Sequence, residues 1–501
     1  MYIACMPKSC HLTESQRGFF DLVARAAFSN PFGPTRAEVD LKLGGATSAT
    51  APKERIALMM KEISAQVADL EAAGMVDLRR YRGTDHEMLR TSLLFDAFHQ
   101  FISRIDQHIE AQIKAGDKPV VVTFASGLVG LLTRWGFDAG EARHALAIFF
   151  QLRRAYYFIA RSLVGTSPCM LEFKRRLWNN LFTSDMPEYT RLLWRRLEDF
   201  STLLLGETGT GKGAAATALG RSGYIPFDEA KGSFAESFMR AFVSINLCQY
   251  PESLMESELF GHRKGAFTGA IDHHQGVLAR CSPHGAIFID EIGDVGGAVQ
   301  VKLLQVLQER AFSPVGSHEH LAFHGRVIAA TNRPLDELRA RGEFRDDFYY
   351  RLCSDVITVP TLRRRCAEDP GELEIMLDAL VQRLVGSQSP DLVRRIHDAL
   401  RRSPGASYAW PGNVRELEQA ARQILLTGAY HAQASATDAS SLAEAMEQGA
   451  LDAEQLVAAY CRHLYQRLGT YEAVARSARL DRRTVKKHIT QGPPFPSGAG
   501  I

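Results

Sequence analysis

Gly206–Lys212, GETGTGK, is the stretch from which the fold is read. A short apolar run, Ser201–Leu205, precedes it, and an alanine-rich stretch with helical composition, Ala214–Leu219, follows. Strand, glycine loop and helix start in that order make a phosphate-binding site. The glycines let consecutive backbone N–H groups converge, the helix N-terminus adds partial positive charge, and a lysine at position 212 reaches the outer phosphates of a nucleotide. The pattern predicts binding of ATP or GTP through Gly206, Glu207, Thr208, Gly209, Thr210, Gly211, Lys212 and Gly213. Gly213 stands where the general motif has a Ser or Thr hydroxyl for magnesium, so the metal must lean on other ligands.

A second apolar run, Ala286–Ile289, ends in Asp290 and Glu291. A strand of this kind puts two carboxylates at the sheet edge beside the glycine loop. Asp290 is then placed to hold Mg2+ and Glu291 to orient or deprotonate water. Neither motif alone is as specific as the two together.

Length and composition bound the rest. At 501 residues the chain is long enough for two to four domains, and 46% hydrophobic with 23% charged residues is a globular balance. The net charge of +2 makes any nucleic-acid surface local rather than global. Eight cysteines lack metal-ligand spacing and no basic-apolar leader opens the chain, so reduced thiols and a cytoplasmic location are expected. No apolar run approaches the ~18 residues needed to span a membrane; the stretch Phe149–Ala160 comes nearest, and Arg153 and Arg154 interrupt it.

Residues 1–164 read as a mostly helical N-terminal domain whose ligand is not legible. Apolar residues recur at helical spacing in Lys53–Leu70 and Leu94–Ala115, and Val120–Phe124 has the composition of a strand. His99 and His108 fall on one such helix and read as surface or capping residues rather than ligands.

Between the two nucleotide motifs lies PESLMESELFGHRKGAFTGA, Pro251–Ala270. The hexapeptide Gly265, Ala266, Phe267, Thr268, Gly269, Ala270 is small and flexible, with one aromatic ring and one hydroxyl. Such a loop tip is suited to inserting a side chain into a partner. ESELFGH (Glu256–His262) and GAFTGA resemble the hallmark of the bacterial sigma-54-dependent transcriptional activators, a branch of the AAA+ ATPases, and the resemblance covers Gly165 to about Tyr430. It implies that Phe267 and Thr268 touch the sigma factor in a nucleotide-dependent way.

The same resemblance assigns further residues. Asn246, in FVSIN, corresponds to an asparagine that restrains the catalytic glutamate until the partner engages. Thr331 and Asn332 correspond to the sensor of the γ-phosphate, and Arg415, in WPGNVREL, to a second sensor on a lid helix. Arg345 and Arg351, in FRDDFYYRL, correspond to arginines acting on the neighbouring subunit's nucleotide. An arginine aimed at a developing phosphoryl charge is worth ~10³ to 10⁵ in rate, so hydrolysis becomes conditional on assembly and a head-to-tail ring, a hexamer in the family, is implied. Three departures stand out. Arg221–Arg240 is longer than the family pattern and reads as a surface insertion. Pro314 replaces a common arginine, and residues 1–164 lack the acidic cluster of a phosphorylated receiver.

Residues 431–450 read as a linker. Tyr471–Ile489 has the outline of a helix-turn-helix with Asp481 as N-cap, and it resembles the Fis-like DNA-binding module. Arg482, Arg483, Thr484, Lys486 and Lys487 are the candidate DNA contacts, and each phosphate contact would add about 0.9 to the salt slope. The expected fold class is multidomain: a mostly helical N-terminal domain (1–164), an α/β AAA+ P-loop core (165–360) with a small helical lid (361–430), and an all-α helix-turn-helix (451–501). The expected function is a sigma-54-dependent activator that binds upstream DNA and uses ATP with Mg2+ in an oligomeric ring to remodel sigma-54 RNA polymerase holoenzyme. An AAA+ remodeller of another protein and a DNA-binding repressor with an inactive ATPase are the alternatives.

Overall fold

The computed structural model describes residues 10–430 apart from 48, 406 and 407, together with 446 and 452–491. The expected linker at 431–450, save Met446, and the tail beyond 491 lie outside the described residues. Two units divide the chain: residues up to 397 with 408–422, and residues 398–407 with 423 onward.

The first unit opens with helices α1 (Glu14–Phe28), α2 (Pro34–Leu43), α3 (Pro52–Ala72), α4 (Gly83–Ala115), α5 (Ala125–Arg134), α6 (Ala139–Ser162) and α7 (Pro168–Phe182). Local chemistry sets their starts. Thr13 with Gln16, and Asp138 with Glu141, form reciprocal capping boxes at α1 and α6, satisfying N–H groups that a helix start leaves without partners. Proline opens α2, α3 and α7, where its missing N–H is not needed. The expected strand at Val120–Phe124 reduces to one bridge, Val121 with Ser233, and a bond from Val122 N–H to Gly232 O at 2.8 Å. The partner hairpin is too short to extend it.

A five-stranded parallel sheet follows, built from β1 (Thr202–Leu205), β4 (Phe242–Asn246), β5 (Ala286–Asp290), β8 (Arg326–Thr331) and β9 (Asp355–Thr358) in the order β4-β5-β8-β1-β9. Burial on both faces accounts for the near-continuous apolar runs of β5 and β8, and every residue of β8 is buried. Two hairpins, β2 (Phe227–Asp228) with β3 (Ser233–Phe234) and β6 (Ala311–Phe312) with β7 (Leu321–Ala322), project from this frame.

The β2–β3 segment corrects the expectation of a surface insertion at Arg221–Arg240. Ile225, Phe234 and Phe238 are buried there, and Phe234 stacks on Phe150 of α6 with ring centroids 3.9 Å apart. One apolar core runs without interruption from Leu12 through α1–α7 and this segment to Ala286, Ile328 and Val359 of the sheet region. His108 is likewise not a surface residue: it is buried among Phe124, Phe150 and Phe234, and burial pushes its pKa down to about 4. His99, half-buried, is lowered to about 4 by the same cause.

In the second unit a helix at Ala453–Leu468 is followed by shorter ones at Tyr471–Ala478 and Arg482–Gln491. Cys461, Leu464, Val474 and Val485 form their small core. Arg479, in left-handed backbone at φ +53°, makes the turn between the two shorter helices. All seven cysteines among the described residues are free thiols. Among the described residues no helix is long and apolar enough to cross a membrane.

Candidate nucleotide site and surface loop

β1 delivers the glycine loop to the carboxyl edge of the sheet, where ligands of open parallel sheets sit. Gly209 and Gly211 take φ of +80° and +104°, backbone that side chains rarely adopt. Close approach adds a second constraint: a Cβ on Gly209 would lie 2.2 Å from Gly412 O, because Val414 N–H donates to Gly209 O at 3.0 Å. The helix Lys212–Gly220 starts at the end of the loop. Lys212 Nζ donates to Gly206 O at 2.8 Å and Glu207 O at 3.3 Å, so its cation is drawn onto the loop itself. Burial lowers its pKa, while Glu291 and Asp290 act in the opposite direction. A Cβ on Gly213 would meet nothing within 4 Å, so space remains beside the phosphate cradle.

β5 places Asp290 and Glu291 opposite this loop, and Lys212, Gly213, Asn246, Asp290, Glu291 and Arg415 all line one cleft of about 1440 Å³. Burial raises the pKa of both carboxyls. Glu291 sits in left-handed backbone at φ +57°, and its Oε2 is buried without a hydrogen-bond partner. Two carboxyls beside a lysine, one of them with a buried unpartnered oxygen, make a donor set that fits a divalent cation such as Mg2+. Asn246 is the register partner of Asp290 across β4 and β5. Its side-chain oxygen accepts from Cys248 N–H at 3.0 Å, so it caps its own turn rather than bonding Glu291. Thr331 is fully buried, and Asn332 donates to Thr208 Oγ1 at 2.9 Å, bridging β8 to the glycine loop.

Several residues that shape this cleft carry no local signal in the sequence. Glu207 accepts from Arg363, at 2.8 Å through one nitrogen, and from Asn413 Nδ2 at 3.1 Å; Arg363 holds its carboxyl below the usual range. Helices Leu362–Glu368 and Glu372–Val385 carry a buried ion pair, Arg365 with Glu372, Nε to Oε1 at 2.7 Å. Glu372 Oε2 accepts from Thr166 N–H at 2.9 Å and Ser167 N–H at 3.1 Å, Arg365 donates to Val164 O, and Lys174 donates to Gly165 O at 2.7 Å. The segment Leu163–Ser167, whose first two residues line the cleft, is thereby pinned. Glu372 and Arg365 lie some 200 residues from the backbone groups they hold in this segment, and no local pattern announces them.

The GAFTGA loop is closed by Gly265 N–H to Ala270 O at 2.8 Å, with Gly265 at φ +80° and Gly269 at φ +104°. Ala266 is half-buried and Ala270 buried, while Phe267 and Thr268 are exposed, with the Phe267 ring edge-on to His262 at 4.9 Å. Arg263 N–H donates to Val315 O at 3.0 Å and Val315 N–H to Gly261 O at 2.9 Å, so the loop base is sewn to the turn between β6 and β7. Pro314 is buried in that turn, and Arg263 pairs with Glu319 beyond it.

Arg345 is the N-cap of the helix Asp346–Leu352, and Arg351 lies in its last turn. Arg345 pairs with Asp347 at 2.7 Å and Arg351 donates to Leu307 O at 2.9 Å; neither lines this chain's own cleft. In the second unit Asp481 Oδ1 accepts from the N–H groups of Arg483 and Thr484 at 2.9 Å, and Thr484 also bonds it through its hydroxyl, making that residue part of the cap. Arg483, Lys486 and Lys487 are exposed, and Arg482 is paired with Glu472 at 2.8 Å.

A parallel five-stranded sheet, a glycine loop opening a helix, an acidic strand end and a helical segment bonded back onto the loop define a P-loop ATPase of the AAA+ class. Residues 188–358 match the sigma-54 interaction domain. The chain is 37% identical over 252 residues to the transcriptional regulatory protein GlrR of Escherichia coli, covering 50% of this chain and 52% of that one. Identity to a Nif-specific regulatory protein of Azotobacter vinelandii is 34% over 320 residues, 63% of this chain and 53% of that one. ZraR of Klebsiella oxytoca is 40% identical over 276 residues, 54% of this chain and 53% of that one. The chain thus spans about half the length of the curated relatives it matches. Among solved structures, NtrX of Brucella abortus with ADP aligns over 72% of this chain and 80% of that one, at 20% identity and a TM-score of 0.39.

Proposed function

We propose that this protein is a sigma-54-dependent transcriptional activator whose ATPase ring moves the GAFTGA loop against sigma-54 RNA polymerase holoenzyme. The observation that carries this reading is the placement of Phe267 and Thr268, exposed on a loop hinged at two positive-φ glycines, in a domain matching the sigma-54 interaction family. In this reading Lys212 and the loop amides bind the phosphates of ATP, and Asn332 and Arg415 sense them. Asp290 holds Mg2+, which would spread the phosphate charge when bound. Glu291, with its unpartnered oxygen, orients and deprotonates the attacking water. Arg345 and Arg351, which do not line their own cleft, complete the site of the next subunit, which makes the working form a closed ring, a hexamer by family resemblance. Arg482, Arg483, Lys486 and Lys487 tether the ring to DNA upstream of the promoter.

The test is open-complex formation on a sigma-54 promoter with purified full-length protein, holoenzyme and ATP. The full chain is required, because removing α1–α6 would uncover the core shared with the sheet. Opening that needs hydrolysable ATP is the expected result; ATP turnover without opening would move the assignment to a remodeller of another protein.

A further inference from the structure

The helix Lys212–Gly220 binds phosphate at its first turn, and its other end is held by a part of the chain that the family match does not reach. Three consecutive carbonyls follow it, and all three accept from α6. Arg154 donates to Arg221 O at 2.9 Å and to Gly223 O at 2.6 Å, and Gln151, one turn earlier, donates to Ser222 O at 3.2 Å. Gln151 is itself fixed by the Tyr189 hydroxyl at 2.8 Å. Both α6 side chains are fully buried. Among the described residues no carboxylate hydrogen-bonds to Arg154; its guanidinium lies over the rings of Phe150 at 4.3 Å and Phe238 at 5.4 Å.

A buried cation that no carboxylate hydrogen-bonds is costly even with Glu236 acting on it from farther off, and a methionine or leucine would fill such a core at lower cost. What the arginine gains is specific to this place. Carbonyls after a helix carry the negative end of its dipole, and a cation there stabilises the helix in one position. The last turn of α6 and the two residues after it, Ala160–Val164, also line the nucleotide cleft. One helix of the N-terminal domain therefore touches the site twice, at the wall of the cleft and at the rear of the helix that carries Lys212.

We propose that Arg154 and Gln151 are positioning residues for nucleotide binding, through which the N-terminal domain sets the ATP affinity of the adjoining ATPase. This rests on the reading of the cleft as the ATP site. The experiment uses the full chain, with a fluorescent ATP analogue for affinity, ATP turnover for KM and kcat, and circular dichroism for folding. Folded Arg154→Met should bind the analogue roughly tenfold more weakly, with KM rising in step and kcat at saturating ATP within about threefold of the parent. Arg154→Lys should recover part of the loss, since one cation still meets the same carbonyls. A purely structural arginine would lower the melting temperature and leave KM in place. Should Arg154→Met not fold, Gln151→Leu reads the same coupling. Unchanged affinity in a folded variant overturns the inference while Lys212→Ala still abolishes binding. A parent chain that binds no nucleotide overturns the site reading, and this inference with it.

Discussion

The pair Arg365–Glu372 permits a quantitative test of how the cleft wall is held. Their side chains are 4% and 0% exposed, so each charge depends on the other and on the backbone of residues 164–167. Glu372→Gln keeps an oxygen for the Thr166 and Ser167 amides and leaves the guanidinium without its anion, which costs about 3–5 kcal/mol. Arg365→Met leaves a buried carboxylate softened by two N–H donors, at about 2–4 kcal/mol. The double variant removes both charges, retains the amide-to-backbone bonds and fills the guanidinium volume with methionine, so its cost is about 1–2 kcal/mol. The cycle therefore closes with a coupling of at least about 3 kcal/mol. Urea unfolding of the four full-length proteins, followed by circular dichroism and converted with a common m-value, measures it. A double variant as unstable as the sum of the two singles would refute the claim that the pair acts as a unit.

Other perturbations test other parts of the argument. Gly209→Ala puts a Cβ 2.2 Å from Gly412 O in left-handed backbone, so affinity for a fluorescent ATP analogue should fall by at least about tenfold; parental affinity would show that the loop and the segment at Gly412 are not in mutual contact. His108 has an orphaned Nε2 and a pKa pushed down to about 4, so between that value and the unfolded pKa of about 6.5 the unfolded chain binds more protons and stability is lost as pH falls. The loss is about 2 kcal/mol between pH 6.5 and 5, and His108→Leu should flatten the melting-temperature profile in that window, whereas a profile parallel to the parent's would count against the burial. Thr268→Ala, at an exposed loop tip, should leave ATP turnover within about twofold and abolish promoter opening; retained opening would remove the hydroxyl from the coupling step.

What was legible in the sequence was what is encoded over a few residues. GETGTGK declares its strand, loop and helix because each needs only local backbone conformation, and the apolar run before Asp290 reads as a doubly covered strand for the same reason. Two long helices of the N-terminal domain, Pro52–Ala72 and Gly83–Ala115, were legible through their apolar period. The packing of that domain was not: the contacts of Gln151 and Arg154 with residues 221–223 cross about seventy positions. Arg221–Arg240 looked like surface because its aromatic residues follow no strand or helix period; they are buried as single anchors, Phe234 against Phe150 and Phe238 against Phe158. Glu372 and Asn413 escaped notice since an isolated polar residue on a helix is usually solvated, and only the fold brings these two to the backbone of Thr166 and the glycine loop.

The uninterrupted core from Leu12 to Val359 also bears on how such a chain can change over generations. Sensory modules are readily exchanged between regulators when a flexible tether joins them to the motor, since a recombination at the tether disturbs no packing. Here the segment after α6 is bolted to the ATPase by Glu372, Arg365 and Lys174, and the face that a new module would have to cover is already shaped around Phe150 and Arg154. The inheritable unit is therefore the N-terminal helical domain together with its ATPase. Change in this domain is more accessible through point substitutions within the first six helices than by grafting a foreign domain.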